Sequence, residues 1–82
     1  MTLDQARIGQ TLTIRRLTGQ GPLRRRLLDL GLLPGTKVTV TGSAPLGDPM
    51  ELTLRGSLLT LRRADGMIVE VTQDNGKGRD RP

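Results

Sequence analysis

The stretch Leu23–Gly35, LRRRLLDLGLLPG, contains a short helix with a signal at each of its ends. Pro22 precedes the stretch, and proline is favoured at the first helical position because its missing N–H is not needed there. Gly31 can end the helix, since glycine readily adopts the positive φ that a helix C-cap often requires. Leu32 can then fold back onto Leu27, the apolar contact that accompanies this type of cap.

The predicted helix has one apolar face, and a defined turn follows it. Leu23, Leu27 and Leu30 are spaced at i, i+4 and i+7, which places them on one side of a helix, toward the core. Pro34 and Gly35 fit the two central positions of a type II turn, where glycine supplies the positive φ of the second. A helix, its cap and a turn so close together leave the next strand little freedom in how it begins.

Five short strands are predicted from alternating apolar and polar residues. They cover residues 11–17, 36–41, 50–55, 58–61 and 68–71. Residues 2–6 are predicted to form an N-terminal helical turn, and residues 62–66 a single helical turn before the last strand. The segment 42–49, GSAPLGDP, contains two glycines and two prolines and is predicted to be a hairpin loop.

Close spacing of five short strands favours a small closed or half-open barrel, because a barrel protects its strand edges. The predicted fold is therefore mainly β (small α+β): an SH3-like five-stranded barrel with one inserted α-helix and a short N-terminal helical turn. This domain is predicted to span residues 1–71. Residues 72–82 contain no apolar side chain and are predicted to form a disordered charged tail.

The composition excludes several functional classes. The 82 residues allow one domain and include no Cys and no His, so disulfides and the usual transition-metal ligands are absent, and no cofactor or metal site is predicted. No apolar run is long enough to span a membrane, and a soluble cytoplasmic protein is expected. Asp48 and Glu51 are interpreted as solvated residues beside the hairpin, because no predicted pocket would perturb them. No enzymatic activity is predicted.

The basic residues have two interpretations, a solvated surface or a docking site. The net charge is +5. Arg24–Arg26 lie at the start of the helix, where the helix dipole disfavours each cation by about 0.3–1 kcal/mol. A pair between Arg25 and Asp29 returns only about 0.2–0.5 kcal/mol. Local stability therefore does not explain the three arginines, and docking onto an acidic protein surface or a phosphate is the alternative. Arg62 and Arg63 form a second basic pair with the same two interpretations.

Several leucines lack a place in the predicted core. Leu46 lies at the tip of the hairpin loop, where it either folds back onto the core or contacts a partner. Leu28, Leu33 and Leu58 do not fit the inward-facing pattern, and an exposed apolar groove is predicted. Arg24, Arg25 and Leu46 are expected to share one partner-binding surface. The full set of predicted partner-binding residues is Arg24, Arg25, Leu28, Leu46, Asp48, Arg62 and Arg63.

Three segments in this order resemble FeoA, the small cytoplasmic companion of the bacterial ferrous-iron transporter FeoB. They are RLLDLGLLPG at 26–35, APLGDP at 44–49 and LRR at 61–63. The resemblance runs from about Leu3 to Val71. It implies an SH3-like barrel that binds the cytoplasmic part of FeoB, which carries a GTPase domain, and so supports ferrous-iron uptake. It also implies a location in the cytoplasm, peripheral to the inner membrane through this partner.

A similar module forms the C-terminal domain of iron-dependent repressors of the DtxR type. No DNA-binding domain precedes it in this chain, which favours the free-standing protein. The competing hypothesis is a nucleic-acid-binding small basic β-barrel of the ribosome-associated type, for which the +5 charge is the support. The absence of every aromatic residue argues against it, because single-stranded nucleic acid is usually held by aromatic stacking. The oligomeric state stays open.

Overall fold

A computed structural model describes residues 1–73. The elements are a 3₁₀ turn at Leu3–Gln5, β1 at Thr11–Leu17, α1 at Pro22–Asp29, β2 at Lys37–Ser43, β3 at Met50–Leu54, β4 at Ser57–Leu61, α2 at Arg63–Gly66 and β5 at Val69–Gln73. The strands form one antiparallel sheet in the order β4-β3-β2-β1-β5. The predicted small α+β fold, with five strands and an inserted helix, is confirmed.

A single core cluster receives side chains from every strand. Alternate residues of each strand enter it, because successive side chains of a strand face opposite sides of the sheet. Leu3 of the 3₁₀ turn, Ala6 just after it, Leu27 of α1 and Leu32 complete the cluster. The buried strand residues are Leu12, Ile14, Leu17, Val38, Val40, Met50, Leu52, Leu54, Leu61, Val69 and Val71.

Register shifts in β1 and β2 allow the sheet to bend around this core. One shift lies between Ile14 and Arg16, where β1 pairs with β5, and the other between Val40 and Gly42, where β2 pairs with β3. Irregularities of this kind increase local twist and bend the strand that carries them. The second shift also carries β2 through Gly42 to Ser43, so the loop before β3 is shorter than expected and comprises residues 44–49.

The end of α1 is fixed by backbone hydrogen bonds around Gly31, whose φ is 104°. The Gly31 N–H donates to the Leu28 carbonyl at 3.0 Å, and the Leu32 N–H donates to the Leu27 carbonyl at 3.1 Å. This pair of bonds is the Schellman arrangement, which satisfies carbonyls that the helix end would leave unpaired. The cap turns Leu32 into the core, where it is fully buried.

The turn after α1 is tied to β1. The Thr36 N–H donates to the Leu33 carbonyl at 3.0 Å, and Gly35 has a φ of 89°, as the second central position of a type II turn requires. The Gly35 N–H then donates to the Ile14 carbonyl at 2.7 Å, and the Ile14 N–H donates to the Thr36 carbonyl at 2.9 Å. The turn therefore sets the position at which β2 begins beside β1.

One expectation for α1 is wrong. Leu30 is 44% exposed instead of buried, because α1 ends at Asp29 and the cap brings Leu32 to the core instead. Arg25 and Asp29 are both exposed and form no ion pair, since an exposed pair on a helix gains too little to hold two side chains together. Within residues 1–73 the ion pairs join α1 to α2 and β1 to β5 instead.

The last strand is longer than the sequence indicates. β5 continues past Val71 to Gln73, with Thr72 paired to Thr13 and Gln73 paired to Leu12. Backbone pairing with β1 explains the difference, because a ladder needs no apolar side chain. Residues 72 and 73 therefore do not belong to a disordered tail. The rest of the predicted tail, residues 74–82, lies outside the described residues.

We predict that Gly31→Val lowers the free energy of unfolding by about 1–3 kcal/mol, the usual cost of a residue held in a sparsely populated backbone region. A Cβ at this position would meet Leu54 at 3.7 Å, an ordinary contact, so the loss comes from the backbone and not from crowding. Urea denaturation measures it. Gly31→Asn is the control, because asparagine tolerates positive φ better and should lose less stability. An unchanged midpoint for the valine variant would contradict the assigned cap.

Candidate functional site

The Arg63 side chain joins three segments of the chain. Its Nε donates to the Gly47 carbonyl at 2.6 Å, and its Nη1 donates to the carbonyls of Asp4 at 2.7 Å and Ala6 at 3.3 Å. The side chain is half-buried. The guanidinium therefore ties α2 to the loop of residues 44–49 and to the N-terminal 3₁₀ turn.

The loop of residues 44–49, named here the β2–β3 loop, is held from within and from α2. The Ala44 N–H donates to the Pro49 carbonyl at 3.0 Å, and the Gly47 N–H donates to the Ala44 carbonyl at 2.7 Å. Asp48 Oδ1 accepts a hydrogen bond of 2.9 Å from the backbone N–H of Arg63, the first residue of α2. Asp48 thus satisfies one of the donors that a helix start leaves unpaired.

Leu46 projects from this constrained loop into solvent. It is 97% exposed, so it does not fold back onto the core. An apolar side chain held out on an ordered loop suits a contact residue, because little conformational entropy remains to be lost when a partner covers it. Of the two interpretations that the sequence left open for Leu46, folding back onto the core is therefore wrong, and contact with a partner stays a prediction.

A cleft of about 250 Å³ lies beside the loop. Leu30, left at the surface by the helix cap, gives it an apolar wall, and the exposed Arg62 brings a positive charge. Arg26 Nη2 and Asp65 Oδ2 form an ion pair at 3.2 Å that links α1 to α2 at this cleft. The lining residues are Arg26, Leu30, Pro49, Thr60, Leu61, Arg62 and Asp65.

The three arginines of α1 point in different directions. Each helical residue advances by about 100°, so Arg24 and Arg26 lie on opposite sides of the helix. Arg24 is half-buried, and its Nε donates to the Leu17 carbonyl at 3.3 Å, at the end of β1. Arg26 points to Asp65 instead, and Arg25 is exposed between them. The helix thus spreads these cations over several sides of α1.

Four of the seven predicted partner-binding residues lie together around α2. These are Leu46, Asp48, Arg62 and Arg63, of which Asp48 and Arg63 hold the loop and Leu46 and Arg62 face solvent. Arg24 and Arg25 are on α1, and Leu28 is half-buried against the core.

The sequence did not indicate the remaining cleft residues. Leu30 was assigned to the core by its spacing, and Arg26 pairs with Asp65 across 39 positions of the chain, a separation that no local pattern reveals. In the sequence, Pro49 indicated a turn but not a place in a cleft. Their contribution depends on how α1, α2 and the β2–β3 loop pack together.

Known proteins resemble the chain over most of its length. The family model described as FeoA domain matches residues 1–73. A Fe(2+) transport protein A/Fe(2+) transporter FeoB fusion protein of Porphyromonas gingivalis is 35% identical over 71 residues, which are 87% of this chain and 8% of that protein. The chain thus spans less than a tenth of that relative.

Solved structures share the fold. The solution structure of FeoA protein from Chlorobium tepidum matches with a TM-score of 0.81 and 36% identity, covering 100% of this chain and 81% of that one. The crystal structure of Stenotrophomonas maltophilia FeoA complexed with zinc, described as a procaryotic SH3 domain protein, matches with a TM-score of 0.78 and 22% identity, covering 88% and 89%. The predicted SH3-like fold is confirmed.

We predict that Arg63→Met lowers the free energy of unfolding by about 1–3 kcal/mol, because partly buried carbonyls lose their donor. Arg63→Lys should recover only part of the loss, since an ammonium cannot reproduce the planar fork of contacts. Arg62→Met is the matched control, because Arg62 is exposed, and it should change stability by no more than about 0.5 kcal/mol. Urea denaturation compares the three; equal losses for Arg62→Met and Arg63→Met would contradict the assigned role.

We predict that the protein holds no stoichiometric ferrous ion of micromolar affinity. Within residues 1–73, no group of three His, Cys, Asp or Glu residues could hold a metal ion. The carboxylates lie on separate elements, and neither imidazole nor thiolate exists anywhere in the chain. Anaerobic titration calorimetry with Fe²⁺ should give only the heat of dilution, and a saturable one-to-one isotherm would contradict the prediction.

Proposed function

The chain belongs to the FeoA family, and on that premise we propose that it is a non-enzymatic accessory protein of bacterial ferrous-iron uptake. Its partner in this proposal is the cytoplasmic part of the transporter FeoB, whose GTPase-linked transport it supports or regulates. The observation that carries the proposal is the relative from Porphyromonas gingivalis, a fusion protein of Fe(2+) transport protein A and FeoB. Two parts joined in one chain meet at high effective concentration, an arrangement that suits parts that act together.

We propose that contact is made through the side of the molecule that carries the β2–β3 loop and the cleft. Leu46 is the apolar anchor, already ordered by the bonds of Asp48 and Arg63 to the loop. Leu30 adds partly exposed apolar surface in the neighbouring cleft. An ordered anchor beside a cleft is the kind of local feature that concentrates binding energy in a protein interface.

Positive charge would guide the encounter with an acidic surface. Arg25 and Arg62 are exposed, and neither forms an ion pair within the described part of the chain. The net charge of +5 adds a field of the same sign around the molecule. Charges of this kind mainly raise association rates, whereas buried apolar contacts mainly set the lifetime of a complex. Arg24 adds to the field, although its Nε also holds the end of β1.

The proposed location is the cytoplasm, at the inner membrane through the partner. No helix within residues 1–73 has the length and apolar character needed to cross a membrane. In our proposal, this domain reaches the membrane by binding FeoB.

The same charge also supports nucleic-acid binding as the second candidate. A phosphate binder loses affinity steeply as salt rises, because bound counterions are released on binding. An apolar anchor gives a contribution that salt does not weaken in this way. Titration of mixed RNA and of the cytoplasmic part of FeoB over one salt series therefore separates the two functions. Tight, salt-sensitive RNA binding without FeoB binding would overturn the proposal.

We predict that Leu46→Ser speeds dissociation from the cytoplasmic part of FeoB roughly tenfold or more while the association rate changes little, as expected for a buried apolar anchor. Surface plasmon resonance with immobilised FeoB fragment measures both rates. Ile8→Ser is the matched control, because Ile8 is an exposed apolar residue in a different turn, 60% accessible. Equal effects of the two variants would contradict the role of Leu46.

We predict that the double variant Arg25→Glu with Arg62→Glu slows association, most strongly at low salt, and leaves the dissociation rate nearly unchanged. Neither guanidinium has a hydrogen bond or an ion pair within residues 1–73 to lose, so the fold should remain intact, which circular dichroism checks. The double variant Arg7→Glu with Arg15→Glu makes the same change in net charge and is the matched control, since both arginines are exposed. A normal association rate in the double variant would mean that these arginines are solvated surface only.

A further inference from the structure

The outer side of β4 is an unprotected sheet edge. The strand order places β4 and β5 at the two edges of the sheet. The outer side of β5 is covered by the N-terminus, because the Val71 N–H donates to the Met1 carbonyl at 2.9 Å and Thr2 forms a bridge with Glu70. Along β4, β3 is the only element of residues 1–73 that packs over several residues.

The hairpin between β3 and β4 determines which backbone groups face outward. Its two-residue turn has positive φ at both Arg55 and Gly56, 53° and 80°, as a type I′ turn requires. Leu54 and Ser57 therefore close the hairpin as a hydrogen-bonded pair. Along β4 every second residue is hydrogen-bonded to β3, so Leu59 and Leu61 bond to β3 as Ser57 does. It follows that Leu58 and Thr60 direct their N–H and C=O groups away from β3.

The outward residues carry none of the usual devices that block an edge. Natural edges are commonly protected by lysine, proline, bulges or covering loops. β4 reads SLLTL, its register with β3 has no shift, and Leu58 is 69% exposed. Thr60 is also exposed and lines the cleft together with Leu61. An uncharged, regular edge of this kind is a template for one more strand.

The charges at the two ends of β4 indicate what that strand would be. Arg55 lies just before β4 and Arg62 just after it, and both are exposed. A second copy paired antiparallel through Leu58 and Thr60 would bring the turn of Arg55 and Gly56 in one copy beside the exposed Arg62 of the other, at both ends of the pair, which repels. An uncharged segment of another protein with carboxylates on both sides would place these carboxylates next to Arg55 at one end of β4 and Arg62 at the other.

We propose that the outer edge of β4 binds an extended segment of another protein by strand addition, and that this segment has an uncharged, β-prone centre with acidic residues on both sides. Leu58 and Thr60 supply the backbone hydrogen bonds. The residue of the bound segment that pairs with Thr60 would place its side chain over the cleft, where the apolar surface of Leu30 favours an apolar side chain. The proposal does not depend on FeoB being the partner, so it and the proposed function can fail separately.

The probe is a synthetic nine-residue peptide, acetylated and amidated, with an alternating valine–threonine–valine–threonine–valine centre and two glutamates at each end. Titrated into the isotopically labelled full chain, it should produce its largest amide shifts at Leu58 and Thr60. Hydrogen exchange at these two amides should slow, whereas Leu59 and Leu61 are already bonded to β3 and should change little. The same peptide with all of its central backbone amides N-methylated, which leaves no N–H donor on either side of the extended chain, is the matched control.

Protein variants separate backbone pairing from side-chain contact. Leu58→Pro removes an outward N–H and should weaken peptide binding roughly tenfold, whereas Leu58→Thr keeps this N–H and should weaken it less. Arg62→Glu should also weaken binding, and Arg15→Glu should not.

Three results would overturn the proposal. The first is the absence of amide shifts at Leu58 and Thr60, and the second is equal binding of the N-methylated and unmethylated peptides. The third is a dimer of the protein that sedimentation analysis detects without peptide and that Leu58→Pro abolishes, because a second copy would then occupy the edge. The N-methylated peptide requires no change in the protein, so the test stands even if the proline variant does not fold.

Discussion

The contacts of Arg63 hold together the side of the molecule that carries the β2–β3 loop and the cleft. One guanidinium bonds to carbonyls of the 3₁₀ turn and of the β2–β3 loop, while the Arg63 backbone N–H bonds to Asp48. Partly buried carbonyls need donors, and arginine can satisfy several of them from one position. The bond from Asp48 to the Arg63 backbone does not need the Arg63 side chain, whereas the bonds to the carbonyls of Gly47, Asp4 and Ala6 do. The exposed position of Leu46 follows from these bonds.

The composition of this chain restricts the kinds of interaction with which it can bind a partner. No aromatic residue is available for stacking or for a groove that holds proline-rich ligands, and no His or Cys is available for a metal. Leucine contacts, arginine charge and backbone pairing are the interactions left. The constrained Leu46, the exposed arginines and the outer edge of β4 each present one of them. A protein-binding role in an SH3-like barrel is consistent with that inventory.

The sequence predicted well wherever the cause lies within a few residues. Gly31 and Gly35 mark positions of positive φ, and alternation at Val38 and Val40 marks an inward face, because both follow from local backbone geometry. The prediction was wrong at Leu30, where spacing alone could not show that the cap would bring Leu32 to the core in its place. Arg25 and Asp29 have the spacing of a helix pair but form no ion pair, because proximity on a helix does not outweigh solvation and side-chain entropy.

The sequence by itself determined the helix with its cap, the turn, the five strands with their inward faces, and the absence of stacking and metal-binding side chains. The tertiary structure decided which charges are used. Arg63 and Arg26 were indistinguishable from their neighbours in the sequence, yet packing gave one the carbonyls of two distant segments and the other Asp65. It also left β4 open and covered β5. These outcomes depend on contacts between residues far apart in the chain, which local propensity and periodicity cannot encode.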